Sequence, residues 1–245
     1  MKAIGVIPAR LGSTRLPGKM LCEIAGEPLI ARVYEGVRSC PLLAELIVAT
    51  DSEQILHLCQ QRGFHARLTS AACRNGTERV QEISKSIAAD VYVNVQGDEL
   101  LARAEHITTL LDLMKEAGTQ VGTLKTPATG EDCNNPNAVK VVTDKNGQAL
   151  YFSRSLIPYD RDGIKPVYFK HLGFYAYRKA ALDCYVAWPE SSLEQSERLE
   201  QLRFLENGIP IRVAETPFDT IRVDTPEDLK RAEQILQAGS GSPGS

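Results

Sequence analysis

The run A-I-G-V-I-P-A-R-L-G-S-T-R-L-P-G-K, Ala3 to Lys19, decides how the rest of the chain is read. Its apolar start, Ala3–Ile7, has the composition of a buried first strand. The loop that follows, Pro8 to Lys19, carries Arg10, Arg15 and Lys19, with hydroxyls from Ser13 and Thr14 and with Gly12 and Gly18 permitting tight turns. Ligands of open α/β sheets bind beyond the carboxyl ends of the strands, where free amides and helix N-termini favour anions. A basic loop in that place predicts a triphosphate-binding site; the same cluster elsewhere would be an ordinary solvated loop. Two other phosphate signatures fail. Five residues rather than four separate Gly12 from Gly18, and Met20 follows Lys19 where a Walker A loop needs Ser or Thr. No G-x-G-x-x-G run occurs either.

Beyond this loop, apolar strand-like runs alternate with helical patterns. Strands are expected at Glu45–Ala49, Phe64–Leu68, Val91–Val95 and Gln120–Leu124, and helices at Pro28–Arg38, from Asp51 to Arg62, at Thr77–Ile87 and from Glu105 to Ala117. Such alternation implies βαβ units and a largely parallel sheet. The second half changes character. Val139–Thr143 and Ala149–Ser153 flank Asp144-Lys145-Asn146-Gly147, and Asn-Gly is a strong hairpin signal. A strand at Phe169–Tyr177, helices at Lys179–Val186 and Leu193–Glu206, a strand at Ile211–Ala214 and a helix at Pro226–Leu236 complete the pattern. The expectation is a three-layer, mostly parallel α/β domain over residues 1–238, with a smaller, more antiparallel lobe inserted at about 126–190 and a flexible tail at 239–245.

Composition narrows the class. Of 245 residues, 43% are hydrophobic and 24% charged, enough for a sizeable core without disulfides. A net charge of −3 argues against a general nucleic-acid surface, so any phosphate site is a local basic patch. The six cysteines form no C-x-x-C pair and no zinc spacing, which fits reduced thiols in a cytoplasmic protein. No apolar run is long enough to span a bilayer, so no membrane partner is expected.

Further segments carry chemistry. Gln96-Gly97-Asp98-Glu99 follows the apolar strand Val91–Val95, placing Asp98 to hold a metal-bound triphosphate; Mg²⁺ commonly takes one or two carboxylates plus phosphate oxygens. In Asp224-Thr225-Pro226-Glu227-Asp228, Thr225, Pro226 and Asp228 read as a helix start, which leaves Asp224 as a second metal candidate. Asn75-Gly76-Thr77 opens a helix; ordinary capping explains it, and a base or ribose against its amides is the functional alternative. Along Lys170–Tyr177, His171, Gly173, Tyr175 and Tyr177 share a polar, aromatic face suited to a sugar or acid, opposite Leu172, Phe174 and Ala176. Gln201 falls on the buried side of its helix and therefore needs a partner, whether protein or ligand.

The segments IPARLGSTRLPGK, IVATD, NGTER, VNVQGDE, NPNAVKVV, ALYFSRSLIPYDRD, HLGFYAY, LEQSERLEQLR and VDTPEDL together resemble the sugar-acid cytidylyltransferases, and within them the 3-deoxy-manno-octulosonate (KDO) branch. The likeness runs from Ala3 to about Leu236. It implies a nucleotide-diphospho-sugar-transferase-like sheet, a homodimer formed through the smaller lobe, and Mg²⁺-dependent reaction of CTP with a 3-deoxy-2-ulosonic acid, KDO foremost. By position it implies Pro8, Ala9, Arg10, Ser13, Thr14, Arg15 and Lys19 on the triphosphate side of CTP, with Asn75, Gly76, Thr77, Arg79 and Gln96 on the cytidine side. Arg154, His171, Tyr175, Glu200 and Gln201 would take the sugar acid, Asp98 and Asp224 the Mg²⁺, and Lys19 with the two aspartates would be catalytic. Four places depart from the family pattern: Leu100 stands where Pro follows QGDE, Ser70–Asn75 lacks an Arg and a His, Tyr159 replaces a Trp, and Arg222 replaces a Gly. These leave room for a modified KDO or another ulosonic acid, or for a non-catalytic nucleotide-binding homologue. A purine- or terpenoid-type nucleotidyltransferase fits the later segments less well.

Overall fold

A computed structural model describes residues 1–13 and 15–239. In chain order it has β1 (Ala3–Ala9), β2 (Glu23–Ile24), β3 (Glu27–Pro28), α1 (Leu29–Arg38), β4 (Leu43–Thr50), α2 (Glu53–Gln61), β5 (Ala66–Leu68), α3 (Gly76–Ser86), β6 (Val91–Val95), β7 (Glu99–Leu100) and α4 (Ala104–Leu113). Then follow β8 (Val121–Pro127), α5 (Gly130–Asn134), β9 (Lys140–Thr143), β10 (Ala149–Ser153), β11 (Phe169–Tyr177), α6 (Lys179–Ala187), α7 (Ser192–Glu197), α8 (Leu202–Glu206), β12 (Ile211–Glu215), β13 (Ile221–Arg222) and α9 (Pro226–Gly239). Residues 240–245 of the expected tail lie outside the described residues, and Gly239 closes α9.

The central sheet has nine strands, in the order β10-β9-β11-β6-β1-β4-β5, with β8 on β11 and β12 beyond it. Strands β6, β1, β4 and β5 run parallel, as does β12 on β8, whereas β11 is antiparallel to β6, β8 and β9. The β9–β10 hairpin, with Asn146-Gly147 in its turn, extends the same sheet.

Strand β1 shows why its sequence lacks alternation. Ile7 and Ala9 face a cluster containing Leu29, Val33, Ile55 and Leu110 from α1, α2 and α4. Ile4 and Val6 face the opposite cluster, with Val80, Leu182 and Phe204 from α3, α6 and α8. Both faces of the strand are covered, so every position is apolar, and each fully buried aliphatic side chain contributes about 1.5–3 kcal/mol. This is the three-layer arrangement, and the six cysteines are all free thiols.

One expected element is corrected. Leu193–Glu206 is not a continuous helix: α7 ends at Glu197, Arg198 adopts a left-handed φ of 54°, and α8 begins at Leu202. The break is made from outside the segment. Arg154 donates from Nε to the carbonyl of Glu197 (2.7 Å) and from Nη2 to that of Arg198 (3.4 Å), serving oxygens that further helical turns would otherwise bond. Leu199 and Leu202 are buried as expected, and the turn between the helices aims Glu200 and Gln201 at the sheet's ligand edge.

Candidate active site

The carboxyl ends of β1 and β6 deliver the opening loop and the Gln96–Glu99 segment side by side. Gly18 takes a left-handed φ of 66°, and its amide closes the loop on the carbonyl of Leu11 (3.3 Å). The next residue, Lys19, turns inward. Its ammonium lies 2.7 Å from Asp98 Oδ2 and 2.7 Å from Asp224 Oδ1, and all three side chains are at most 9% exposed. Asp224 reaches this position because α9 starts immediately after it. Thr225 Oγ1 accepts from the amide of Asp228, whose carboxylate accepts in turn from the amides of Asp224 and Thr225.

Two more cations bear on the acid pair. Arg15 Nη2 is 3.0 Å from Asp224 Oδ2, and Arg222 Nε is 3.0 Å from the same oxygen and 3.6 Å from Asp98 Oδ2. Arg222 is brought there by β13, which pairs antiparallel with β7 and sets Arg222 opposite Glu99. Burial would push the Asp224 carboxyl up, but Arg222, then Lys19 and Arg15, outweigh it and hold the group at about 2. Glu99, buried beside Asp98, is pushed up; its carboxylate accepts from the amide of Gly173 (3.0 Å) and from the hydroxyl of Thr220. A Cβ at Gly173 would sit 2.4 Å from Glu99 Oε1, so any side chain there displaces that carboxylate from its bonds to the Gly173 amide and Thr220.

Whether these residues fit the expected Mg²⁺ can be judged from their lone pairs. Asp98 Oδ1 is buried with no hydrogen-bond partner, and the facing oxygens of Asp98 and Asp224 are bridged by a monovalent ammonium. Two oxygen donors from two carboxylates, one with an unused lone-pair edge, suit a hard cation that draws its remaining ligands from phosphate and water. The donor set fits.

On one side of the acid pair lies the Asn75–Arg79 segment. Asn75 caps α3 by accepting from the amide of Glu78 (2.9 Å), so the capping role is real. The Thr77 amide and Gln96 Nε2 both donate to Glu200, at 3.3 and 3.2 Å, while Thr77 Oγ1 pairs with the hydroxyl of Tyr177 at 3.1 Å. A Cβ at Gly76 would lie 3.1 Å from Gln96 Nε2 and 3.4 Å from Asn94 Nδ2, so backbone and two amide side chains meet closely here.

On the other side opens a cleft of about 350 Å³ lined by His171, Tyr175, Glu200, Gln201, Arg198 and Arg222. Thr123 Oγ1 donates to the carbonyl of Phe174 (2.7 Å), so it must accept from His171 Nε2 (2.9 Å). His171 therefore carries its proton on Nε2 and leaves Nδ1 as an acceptor. Burial, reinforced by Arg222, pulls its pKa down to about 3, so the ring is neutral. Tyr175, 2% exposed, has its pKa pushed well up by burial and then by Tyr177, and stays a neutral hydroxyl. Burial likewise raises Glu200, against the two bonds from Thr77. Gln201 is 3% exposed and its Nε2 has no partner.

Most sequence-predicted residues thus converge: Pro8 and Ala9 end β1, Arg15, Lys19, Asp98 and Asp224 form the charged cluster, and Gln96, Thr77, His171, Tyr175, Glu200 and Gln201 surround it. Arg10 is exposed at the loop's start, and Ser13 accepts weakly from the Leu16 amide (3.4 Å). Thr14 lies outside the described residues. Two arginines are engaged elsewhere. Arg79, 3% exposed, is bound by Asp51 (2.9 Å) and Thr69, and Arg154 is the long-range helix stop described above. Sequence reasoning missed Glu99 and Asn94. Asn94 was detectable as the one polar residue in the fully buried run V-Y-V-N-V.

The cytidylyltransferase family model matches residues 4–215. The chain belongs to the cytidylyltransferase family. Among curated relatives, this cytidylyltransferase is 64% identical over 239 residues to the 3-deoxy-manno-octulosonate cytidylyltransferase of Koribacter versatilis, covering 97% of this chain and 91% of the relative. It is 53% identical over 237 residues to the enzyme of the same name from Acidobacterium capsulatum, covering 96% and 97%. Its fold superposes on the solved structure of CMP:2-keto-3-deoxy-manno-octonic acid synthetase complexed with CTP with a TM-score of 0.91, at 42% identity over 98% of this chain and all of that one. HddC from Yersinia pseudotuberculosis, at 15% identity and a TM-score of 0.70 over 96% of this chain, shares the fold alone.

Proposed function

We propose that this cytidylyltransferase transfers CMP from CTP to the anomeric hydroxyl of KDO, releasing pyrophosphate and supplying an activated sugar for lipopolysaccharide or capsule synthesis. The observation that carries the reading is the buried Lys19–Asp98–Asp224 cluster opening directly onto a cleft walled by His171, Tyr175, Glu200 and Gln201. The names of the two close relatives support the same substrate pair.

In this reading Arg10, Arg15 and Lys19, with Ser13 and Thr14, hold the triphosphate, and negative charge grows on the β-phosphate oxygen as the bond to the α-phosphorus breaks. Fixed cations stabilise that charge without reorganising. The cytidine lies against Asn75, Gly76 and Thr77 with Gln96, and Arg79 supports that wall by holding Asp51 and Thr69. The sugar acid enters between His171, Tyr175, Glu200 and Gln201, with Arg154 fixing the turn that carries the last two. His171, with its pKa near 3, is too weak a base to take the attacking hydroxyl's proton, so it orients the sugar through Nδ1. Asp98 and Asp224 would hold Mg²⁺, which when bound supplies charge neutralisation at the phosphates and acidifies the attacking hydroxyl. No covalent enzyme intermediate is needed.

A homodimer belongs to the same proposal. Leu150, Leu156, Tyr159, Ile164 and Val167 expose apolar surface along one stretch of the 126–190 segment, and sedimentation at micromolar concentration tests it. A cytoplasmic location is proposed as well, in keeping with six free thiols; among the described residues no helix is long and apolar enough to cross a membrane.

Pyrophosphate release measured over a panel of nucleotides and ulosonic acids tests the function. Turnover with CTP and KDO above the other pairs is expected, and activity only with a different acid would replace KDO while keeping the reaction. The presence of Arg222 in the cleft is the observation that favours that second reading.

A further inference from the structure

Arg222 lines the cleft, and nothing in the reaction chemistry above uses it. Its guanidinium is half engaged. Nε is fixed by Asp224 at 3.0 Å, with Asp98 at 3.6 Å, whereas among the described residues neither terminal nitrogen has a protein partner. The β13–β7 pairing anchors its backbone, so the planar fork is held by one edge and presents the other to the cleft. Of the cleft's other cations, Lys170 pairs with Asp132 and Asp219 and Arg231 with Glu131, while Arg198 is exposed at the turn between α7 and α8 and, unlike Arg222, makes no ion pair with Asp98 or Asp224. In the same cleft, the unpartnered Nε2 of Gln201 is a buried amide donor. The cleft therefore offers an unused planar fork and an unused amide donor beside neutral His171 and Tyr175, which is the donor pattern of a carboxylate site.

We infer that Arg222 is a specificity-determining residue that binds the carboxylate of the incoming 2-ulosonic acid through its two terminal nitrogens, with Gln201 donating alongside. The inference rests on the proposed sugar-acid function. It extends that function by assigning the acid group a partner outside the residues expected to take it. Holding Nε on Asp224 also places the acid's C1 end next to the acid pair, so the adjacent anomeric hydroxyl faces the triphosphate side.

The test is equilibrium binding with turnover switched off. KDO and its carboxamide are titrated calorimetrically into wild-type protein, R222M and R222K, each saturated with CTP in the presence of a chelator. Wild type is expected to prefer the acid to the amide. R222M should bind the acid about 10- to 100-fold more weakly, the range for losing charge-assisted hydrogen bonds, while its affinity for the amide changes less than about threefold. R222K keeps the charge without the fork and should fall between them. CTP affinity should stay within about threefold in both variants. Unchanged acid binding by R222M, an equal loss of acid and amide, or a loss of CTP affinity alongside that of the acid would each overturn the inference; the last would make Arg222 a counter-charge for the acid pair. If wild type binds a different ulosonic acid but not KDO, the same comparison is made on that acid, and wild type binding none overturns it. Pyrophosphate release is scored separately: an acid bound through Arg222 but never turned over sinks the proposed function and leaves the binding role standing.

Discussion

Replacing Lys19 with Met removes the ammonium that joins two carboxylates and leaves the chain's volume nearly intact. Both oxygens it touches are 2.7 Å away, and the acids are 9% and 8% exposed. Removing one partner of a buried pair generally costs about 3–5 kcal/mol, because a charge is left buried without compensation. Here the loss is unequal. Asp224 retains Arg15 and Arg222 at 3.0 Å each, whereas Asp98 is left with Arg222 at 3.6 Å and an Oδ1 that never had a partner. The lower end of the range, about 3 kcal/mol, is therefore expected, which for a chain of this size lowers Tm by about 6–12 °C at pH 7.5. Calorimetric melts of Lys19→Met and wild type at pH 7.5 check this. A Tm loss under about 3 °C would show that the cluster is solvated and that the buried-pair reasoning is wrong.

Three other perturbations report on the cleft and its support. Gln201→Leu removes a buried amide whose nitrogen has no partner, so stability should hold or rise while KM for the sugar acid increases about tenfold; a melting loss with unchanged KM would place the amide's partner inside the protein. Gly173→Ala drives a methyl to 2.4 Å from Glu99 Oε1, and a loss of more than about 2 kcal/mol by urea denaturation is expected, an unchanged midpoint being the contrary result. His171 remains neutral in the fold down to about pH 3 while the unfolded chain protonates near 6.5, so it withdraws stability as pH falls between those values, at up to about 1.4 kcal/mol per pH unit. The slope of unfolding free energy against pH should accordingly be shallower for His171→Gln than for wild type across that window, and equal slopes would refute the shifted pKa.

The parts of the fold legible in the sequence were those decided by local pattern. The two-faced apolar run of β1, the Asn-Gly turn between β9 and β10, the period-two face of β11 and the Thr225–Asp228 cap each express a rule that acts within a few residues. The features that escaped are set by distant partners. Nothing near Arg198 demands a left-handed residue; the helix stops there because Arg154, 44 residues earlier, takes its carbonyls. Arg222 could be singled out as unusual, but its place beside the acid pair depends on β7 and β13, strands of two residues each that carry no periodic signal. Arg79 shows the converse. Its motif was plain, yet the motif could not show that Asp51 and Thr69 would occupy its guanidinium.

The contact between Lys19 and Asp224 spans 205 residues of sequence, and on the proposed function both ends of that span are needed before the site has any chemistry. During synthesis the amino-terminal strands, carrying the whole triphosphate loop, emerge well before the segment that supplies the second carboxylate and Arg222. A chain halted after β12 would hold all nine strands of the central sheet and none of Ile221–Arg222 or α9. Such a fragment could gather nucleotide without the means to spend it. On the proposed function the late closure acts as a proof of completeness, because Asp224 and the α9 start that fixes it arrive last. Polypeptides cut short by a ribosome or clipped by a protease ahead of β13 should therefore be catalytically silent, and should not generate a slow, wasteful hydrolase.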